Sequence, residues 1–386
     1  MRSFFDFLTE AAKVHATTGH LEHVGDLLYH GEPHSAIDHM EHVHNRFQGH
    51  HNDNHKLSLK VDGGMSIVVG RNHKGQHFVS YKTGSEQYTS PEQIAASGKE
   101  HYVRELTPIL HHAKKMGGLK PGTAFQADIV HNSEEHADVT QPNAIKYKVP
   151  KGKKLVLAAH SQYSVGKDGS LSKTTSHPDV HSMTTQETHA PDLAMGKNVH
   201  LKLDSKRHKE IQKHLGNARK LLTPEVADFA KSLHSGEGHN PRFHEFLKQY
   251  SNHEARTSGT RSVKAMTKHI DTYMNKSAQS KLKPDTQKKI RDSFHETIKN
   301  NSHHFDTLFK VHDHINKAKH HLLDELEQNH KHHFNIHTHD NEEHEGMVSS
   351  LGRPGKNEVQ AKLVREGPGG FPEKNTANAA IRFGKT

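Results

Sequence analysis

A chain of 386 residues, 31% apolar, is long enough for two or three domains: one good core, a smaller second one and polar surroundings. Its net charge of +9, with 43 histidines as a reserve that fills as pH falls through about 6.5, favours acidic partners such as nucleotides, polynucleotides or phosphate-rich surfaces. The absence of cysteine excludes disulfides, thiolate nucleophiles and Cys-ligated zinc, and no apolar run approaches the roughly 18 residues that span a bilayer, so no membrane partner is expected.

The chain opens on a short amphipathic stretch with Phe4, Phe5, Phe7 and Leu8. His20 to Gly31 reads as an extended or short helical entry, and His34 to Phe47 as a helix, because Ile37, Met40, Val43 and Phe47 recur at helical spacing. From Leu57 to about Tyr81 the period switches to two. Leu57, Leu59 and Val61 fall on one strand face and Ser58, Lys60 and Asp62 on the other, so an ammonium and a carboxylate point together just before Gly63 and Gly64. "MSIVVGRNHKGQHFVSYK" predicts two strands joined by a turn at Asn72 to Gln76.

Helical spacing resumes over Ser90 to Met116, with Pro91 at a first helical position after Ser90. The turn "KPGT" introduces a strand at "AFQADIV", and "KKLVLAAHSQYSV" is the next strong strand, so this half is mixed α and β with antiparallel or mixed sheets. From about Ser205 to Asn329 the sequence predicts a bundle of five or six helices, with starts at Thr223-Pro224, Asn240-Pro241 and Lys283-Pro284 and an apolar stripe at Phe305, Leu308, Phe309, His312 and Ile315. Strand character returns over His333 to Glu366, so the helices interrupt a sheet domain. His333, Asn335, His337 and His339 share one face of that stretch, a spacing able to hold a transition metal but without an identifiable partner ligand.

A lysine two residues before Asp-Gly is common by chance. Its meaning changes with the later segments "FQADIV", "VLAAHSQY", "HEGMVSS" and "VQAKLVRE", which bring carboxylates and further basic groups in strand context. In that order they resemble the covalent nucleotidyltransferase superfamily of ATP-dependent DNA ligases, RNA ligases and mRNA capping enzymes. The similarity is closest to an uncharacterised ligase-like group of large tailed phages, over roughly residues 15 to 170 and 333 to 366. "KVDGG" resembles the motif whose lysine is the nucleophile, here Lys60, with Asp62 and Gly63 beside it in the nucleotide pocket. The resemblance implies metal-binding carboxylates at Asp128 and Glu345, and nucleotide contacts from Phe125, His160 and Lys362, with Arg71 or Lys82 at the ribose or phosphate.

Such chemistry needs a lysine amine to attack the α-phosphate of ATP, carboxylates to hold Mg²⁺ or Mn²⁺, and basic side chains to neutralise the phosphates. The sequence departs from the family in three places. Met65 and Ser66 stand where an arginine is usual, Asp128 replaces a glutamate, and no oligonucleotide-binding barrel fits in the 20 residues after Glu366. The last departure weighs against the two-domain clamp of DNA ligases. Basic clusters in the helical region, at Lys206, Arg207 and Lys209, at Arg256, Arg261, Lys264 and Lys268, and from Lys281 to Arg291, are candidates for a substitute clamp.

The expected fold is α+β: a ligase or capping-type nucleotidyltransferase domain at residues 15–204 and 331–366, interrupted by an all-α insertion at 205–330, with an irregular tail at 367–386. The expected function is ATP-dependent formation of a lysyl-AMP at Lys60 and sealing of RNA or DNA ends. The alternatives are a non-catalytic nucleic-acid-binding or internal head protein of a phage virion, and nucleotidylation of a protein or small molecule. Residues 1–14, "MRSFFDFLTEA" and beyond, resemble the capsid-targeting leader of internal head proteins in T-even-like phages, with "LTE" similar to their prohead protease site. The resemblances imply a place in the host cytoplasm during infection and, if the leader is used, in the capsid interior.

Overall fold

The computed structural model describes residues 21–50, 52–82, 84–135, 137–195, 204–276, 279–329, 335–341, 343–352, 358–368 and 370. The leader-like segment, His333 and most of the tail lie outside them. In chain order, a 3-10 turn at Val24–Tyr29 precedes helix α1 (Pro33–Phe47). Strands β1 (His55–Lys60), β2 (Ser66–Arg71) and β3 (His77–Tyr81) are followed by helices α2 (Pro91–Ala96) and α3 (Glu100–Lys115). Next come β4 (Thr123–Asn132), β5 (Val139–Thr140), β6 (Tyr147–Lys148), β7 (Leu155–Val165), β8 (Leu171–Thr175) and β9 (Thr188–His189). Six helices form the following run: α4 (Ser205–Leu221), α5 (Pro224–Ser235), α6 (Phe243–Arg256), α7 (Val263–Met274), α8 (Pro284–Asn300) and α9 (Ser302–Asn329). Strands β10 (Gly346–Leu351) and β11 (Val359–Val364) complete the set.

The fold is α+β, and the chain divides into two compact units, each assembled from separated segments. Unit 1 takes the described residues within Asp53–Gly196 and Lys331–Gln360; unit 2 takes those within Glu22–Asn52, Lys197–His330 and Ala361–Thr386.

In unit 1, the larger sheet runs β3-β2-β4-β7-β8, antiparallel throughout, with β9 added parallel to β7. Its core follows from alternation. Ile67 and Val69 of β2, Phe125, Ala127 and Ile129 of β4, and Leu155, Leu157 and Ala159 of β7 form one face, and α3 covers it with Tyr102, Leu106, Ile109, Leu110 and Ala113 at helical spacing. The opposite face carries the smaller group Val68, Phe78, Ala124, Tyr163 and Val165. The helical spacing over Ser90 to Met116 forms two helices. Ser90 caps α2 by accepting from Gln93 N, Pro91 starts it, and Gly98, at φ +69°, takes the left-handed conformation that ends it before α3 begins. A second, three-stranded sheet has the order β1-β10-β11, and β11 carries the chain out of this unit after Gln360.

The strand face expected around His337 and His339 does not form. Thr338 makes one isolated bridge to Tyr147, and a 3-10 turn at His339–Asn341 with Asp340 at φ +51° breaks the alternation.

Unit 2 includes α1 and the turn before it, where the sequence alone leads to the expectation that they belong with the sheets. The physical reason lies in the stripe Ile37, Met40, Val43 and Phe47, all fully buried. Arg219 of α4 also reaches Asp38 at 3.2 Å and Glu41 at 2.7 Å on the outer side of α1. Of the expected helix starts, Thr223 and Pro284 hold; Asn240-Pro241 instead forms a turn, with Phe243 N donating to Asn240 O, and α6 starts at Phe243.

The centre of unit 2 is ionic. Glu366 accepts from Lys319 Nζ at 2.6 Å and from Arg261 Nη2 at 3.1 Å, and His23 Nδ1 stands 3.2 Å away, with all four side chains at most 3% exposed. Arg261, expected on a basic surface, is therefore a core residue. Burial pushes the Glu366 carboxyl up, but the charges of Lys319 and Arg261, then His23, outweigh it and hold the group well below the usual range. Removing one partner strands the other charge in a dry site. Lys319→Ala should lower unfolding free energy by about 3–5 kcal/mol, measurable by urea titration.

Burial also depresses His39, His269 and His320 of this unit to about 4. Unfolded, these rings take up protons as pH falls through about 6.5, whereas folded they do so only near 4. Stability should therefore fall steadily on acidification from pH about 6.5 to about 4, before Glu366 protonates, as read from denaturant midpoints by circular dichroism.

Candidate active site around Lys60

Strand β1 alternates buried and half-buried residues, which leaves Lys60, its last residue, on the open side. β1 pairs antiparallel with β10 so that Lys60 is opposite Gly346, and Glu345 enters just ahead of that pair. Gly346 has φ +146°, a conformation open to glycine, and this aims the chain into β10 directly after Glu345. Lys60 Nζ donates to Glu345 Oε2 at 2.6 Å across 285 residues of sequence, with the lysine side chain 24% and the glutamate 7% exposed. Burial alone would depress the Lys60 amine; Glu345, by charge and hydrogen bond, and then Asp128 and Asp62 reverse this and hold it above the ordinary lysine value. Lys60 is an ammonium at neutral pH.

Asp62 is close in sequence but has another task. β1 ends at Lys60, so the expected shared face stops there, and the Asp62 carboxylate turns to accept from Asn143 Nδ2 at 2.7 Å, Ala144 N at 2.6 Å and Ile145 N at 3.0 Å. Its own N–H donates to Tyr147 Oη at 2.8 Å. Asp62 pins the 143–147 loop, and Asn143 and Tyr147 are participants the sequence reading missed. The only available signal, the Pro142-Asn143 turn dipeptide, says nothing about where the turn docks.

Gly63 lies so close to β4 that a Cβ there would stand 2.4 Å from Asp128 Cβ. The loop then joins the sheet, with Gly64 N donating to Ile129 O at 2.8 Å and Ile129 N to Met65 O at 3.0 Å. Met65, where the sequence resemblance leads to the expectation of an arginine, packs on the core below α3; Ser66 is in register with Asp128 and hydrogen-bonds it.

Asp128 also faces His160, whose Nε2 is 3.7 Å from Oδ1. The register explains this contact: Ala127 pairs with Ala159 and Gln126 with Ser161, so His160 is the extra residue of a β-bulge, which re-aims its side chain. Burial raises the Asp128 carboxyl, but His160, by hydrogen bond and charge, then Lys60 and Ser66, bring it below the usual value, so it is ionised. Behind His160 a cavity of about 10 Å³, lined by Ser58, Ala159, Ser176 and His177 among others, has room for one water.

The other expected residues have contacts of their own. Phe125 belongs to the α3-side core, because odd-numbered positions of β4 at this point face away from Asp128. Arg71 ends β2 five residues from Ser66, roughly 17 Å at about 3.4 Å per residue, and its Nε donates to Gly75 O at 2.8 Å to brace the hairpin. Lys82 follows β3 beside Ser66, one strand from Asp128, with its ammonium 5.7 Å from the Tyr81 ring centroid. Lys362 belongs to unit 2, where its N–H donates to Glu22 O at 2.9 Å. Unit 1 thus brings together Lys60, Gly63, Asp128, His160 and Glu345.

Two carboxylates beside an amine form an oxygen donor set suited to a hard divalent cation, and a half-buried lysine is a usable nucleophile once deprotonated. The profile of a family of unknown function (DUF6267) matches residues 18–365. No match is found among curated proteins or among solved structures.

Neutralising Glu345 removes the largest influence that raises Lys60 and leaves burial in place. In Glu345→Gln the Lys60 pKa should fall, and its modification by an amine-selective reagent near pH 8, followed by peptide mass spectrometry, should speed up relative to wild type.

Proposed function

We propose that this chain, which belongs to the DUF6267 family, is an ATP-dependent nucleotidyltransferase whose nucleophile is Lys60 and whose acceptor is a polynucleotide end, RNA or DNA. The observation that carries the reading is the 2.6 Å contact of Lys60 with Glu345, made by strands from opposite ends of the chain and flanked by Asp128. A surface lysine with an incidental partner would be exposed on both sides; here the carboxylate is buried and the lysine has two further acids in electrostatic range.

In the first step the Lys60 Nζ lone pair would attack the α-phosphorus of ATP. A P–N bond forms, the bond from that phosphorus to the β-bridging oxygen breaks, pyrophosphate leaves with the electron pair, and the amine loses a proton to solvent. In the second, a 5′-phosphate oxygen attacks the same phosphorus and forms a P–O bond, the P–N bond breaks, and the Lys60 nitrogen takes a proton from solvent as it leaves. Asp128 and Glu345 are the residues that would hold Mg²⁺ or Mn²⁺, which when bound supplies charge neutralisation at the phosphates. With Glu345 engaged in this way, burial would dominate at Lys60 and favour the free amine. Gly63 packs its backbone against Asp128, and the cavity behind His160 is far too small for a nucleoside, so the nucleotide would bind on the solvent side of the cluster, where the Lys60 side chain is 24% exposed.

The test is incubation with ATP labelled at the α-phosphate and Mg²⁺ or Mn²⁺, denaturation, and a search for acid-labile covalent label. Wild type should take label, with a rate that rises with pH across the neutral range as the Lys60 amine is released. Lys60→Ala should take none, and Asp128→Asn or Glu345→Gln should be slowed by about 100-fold or more. Label that persists in Lys60→Ala, or none in wild type, would overturn the reading. Nicked RNA and nicked DNA as acceptors then identify the end that is sealed.

A further inference from the structure

Unit 2 carries a second cluster of metal-ligating side chains, unrelated to the carboxylates around Lys60. His30 immediately follows the 3-10 turn Val24–Tyr29, His234 is in the last turn of α5, and His244 is the second residue of α6. Their rings converge, with centroids 6.3, 5.2 and 4.9 Å apart, and each offers one nitrogen so that the three lie within 4.8 Å of one another. His234 Nδ1 and His244 Nε2 are 3.5 Å apart. A tetrahedral ion with Zn–N bonds of about 2.0–2.1 Å needs its nitrogens about 3.3–3.5 Å apart, so one edge of such a site is already formed.

The surroundings prepare the rings. The His244 ring hydrogen-bonds the Tyr29 backbone, the kind of outer contact that fixes a ligand imidazole. Gly31 has φ +85°, and a Cβ on it would stand 2.7 Å from His234 Cδ2, so a glycine is needed for the ring to lie there. Burial lowers His30, and burial with the neighbouring rings lowers His244 to about 4, so both present neutral lone pairs at neutral pH. His30 and His244 are half-buried while His234 is exposed, which leaves an entry path, and Glu22 lies 4.0 Å from His30 Nε2 on the other side.

We propose that His30, His234 and His244 form a three-histidine site for a divalent transition-metal ion, Zn²⁺ in the first instance, that ties the turn following Tyr29 to α5 and α6. Three imidazoles select against Mg²⁺ and Ca²⁺, which require oxygen ligands. The group Glu225, His303 and His304 is a control, because two of its members are adjacent on one helix.

The experiment uses the full chain, stripped with a chelator and titrated with Co²⁺ by visible absorption and with Zn²⁺ against a chromophoric competitor. One ion per chain should bind more tightly than the histidine background. His234→Gln and His30→Gln should each weaken that ion by at least about 100-fold, since loss of even an outer partner costs about 10–100-fold. His303→Gln should leave it unchanged. Gly31→Ala, which displaces the His234 ring, should weaken it with all three ligands still present. His234 is exposed, so if His30→Gln fails to fold by circular dichroism, His234→Gln decides the matter alone. A titration identical in wild type and His234→Gln, or the loss of the tight ion in His303→Gln, would overturn the proposal.

Discussion

Unit 1 depends on the pairing of β1 with β10, which brings Lys60 against Glu345 across 285 residues of chain. Closing so long a loop costs only about 0.6 kcal/mol more for each doubling of length, so a helical run can be inserted between the two strands with little penalty to their pairing. The pair itself is no stability device. Half-buried ion pairs return little more than their desolvation costs, and an apolar pair at the same positions would hold two strands at least as well. Such an expensive contact stands beside a glycine that admits no side chain and a second ionised carboxylate, and this combination is what supports the proposal of a chemical role.

The electrostatics divide the acids by role. Asp62 spends both carboxylate oxygens on three N–H donors and serves the loop at 143–147. Glu345 instead pairs with the ammonium and Asp128 acts on it by charge, and together they keep Lys60 protonated. A resting lysine of this kind is protected from adventitious acylation. Under the proposed function it would become a nucleophile only when another cation competes for its acids, which would couple reactivity to the arrival of a metal-bound substrate. Unit 2 answers the problem of buried charge differently, by closing Glu366 with Lys319, Arg261 and His23 in one dry cluster.

Much of this was legible in the sequence where a local rule decides the outcome. Alternation predicted β1 and the strand face of Lys60, turn chemistry predicted the Asn72 to Gln76 turn, and proline at a first helical position predicted the helix starts at Pro91, Pro224 and Pro284. The same rule could have excluded Phe125, whose parity on β4 is opposite to that of Asp128. Other features follow from tertiary choices that no window of sequence contains. The bulge that turns His160 toward Asp128 is fixed by cross-strand register, the burial of Arg261 by an acid 105 residues away, and the membership of α1 in the helical unit by what its stripe packs against. His30, His234 and His244 come from three segments and were invisible among 43 histidines.

The claim on which the account rests is that Lys60 becomes covalently attached to AMP. The most direct measurement is peptide mapping by mass spectrometry of wild-type protein exposed to ATP and Mg²⁺ and quenched at alkaline pH, where a phosphoramidate survives. An adenylate on the peptide containing Lys60, released when that sample is acidified, is the predicted result. An unmodified Lys60 peptide under conditions in which ATP is consumed, or an adenylate on a different lysine, would contradict it.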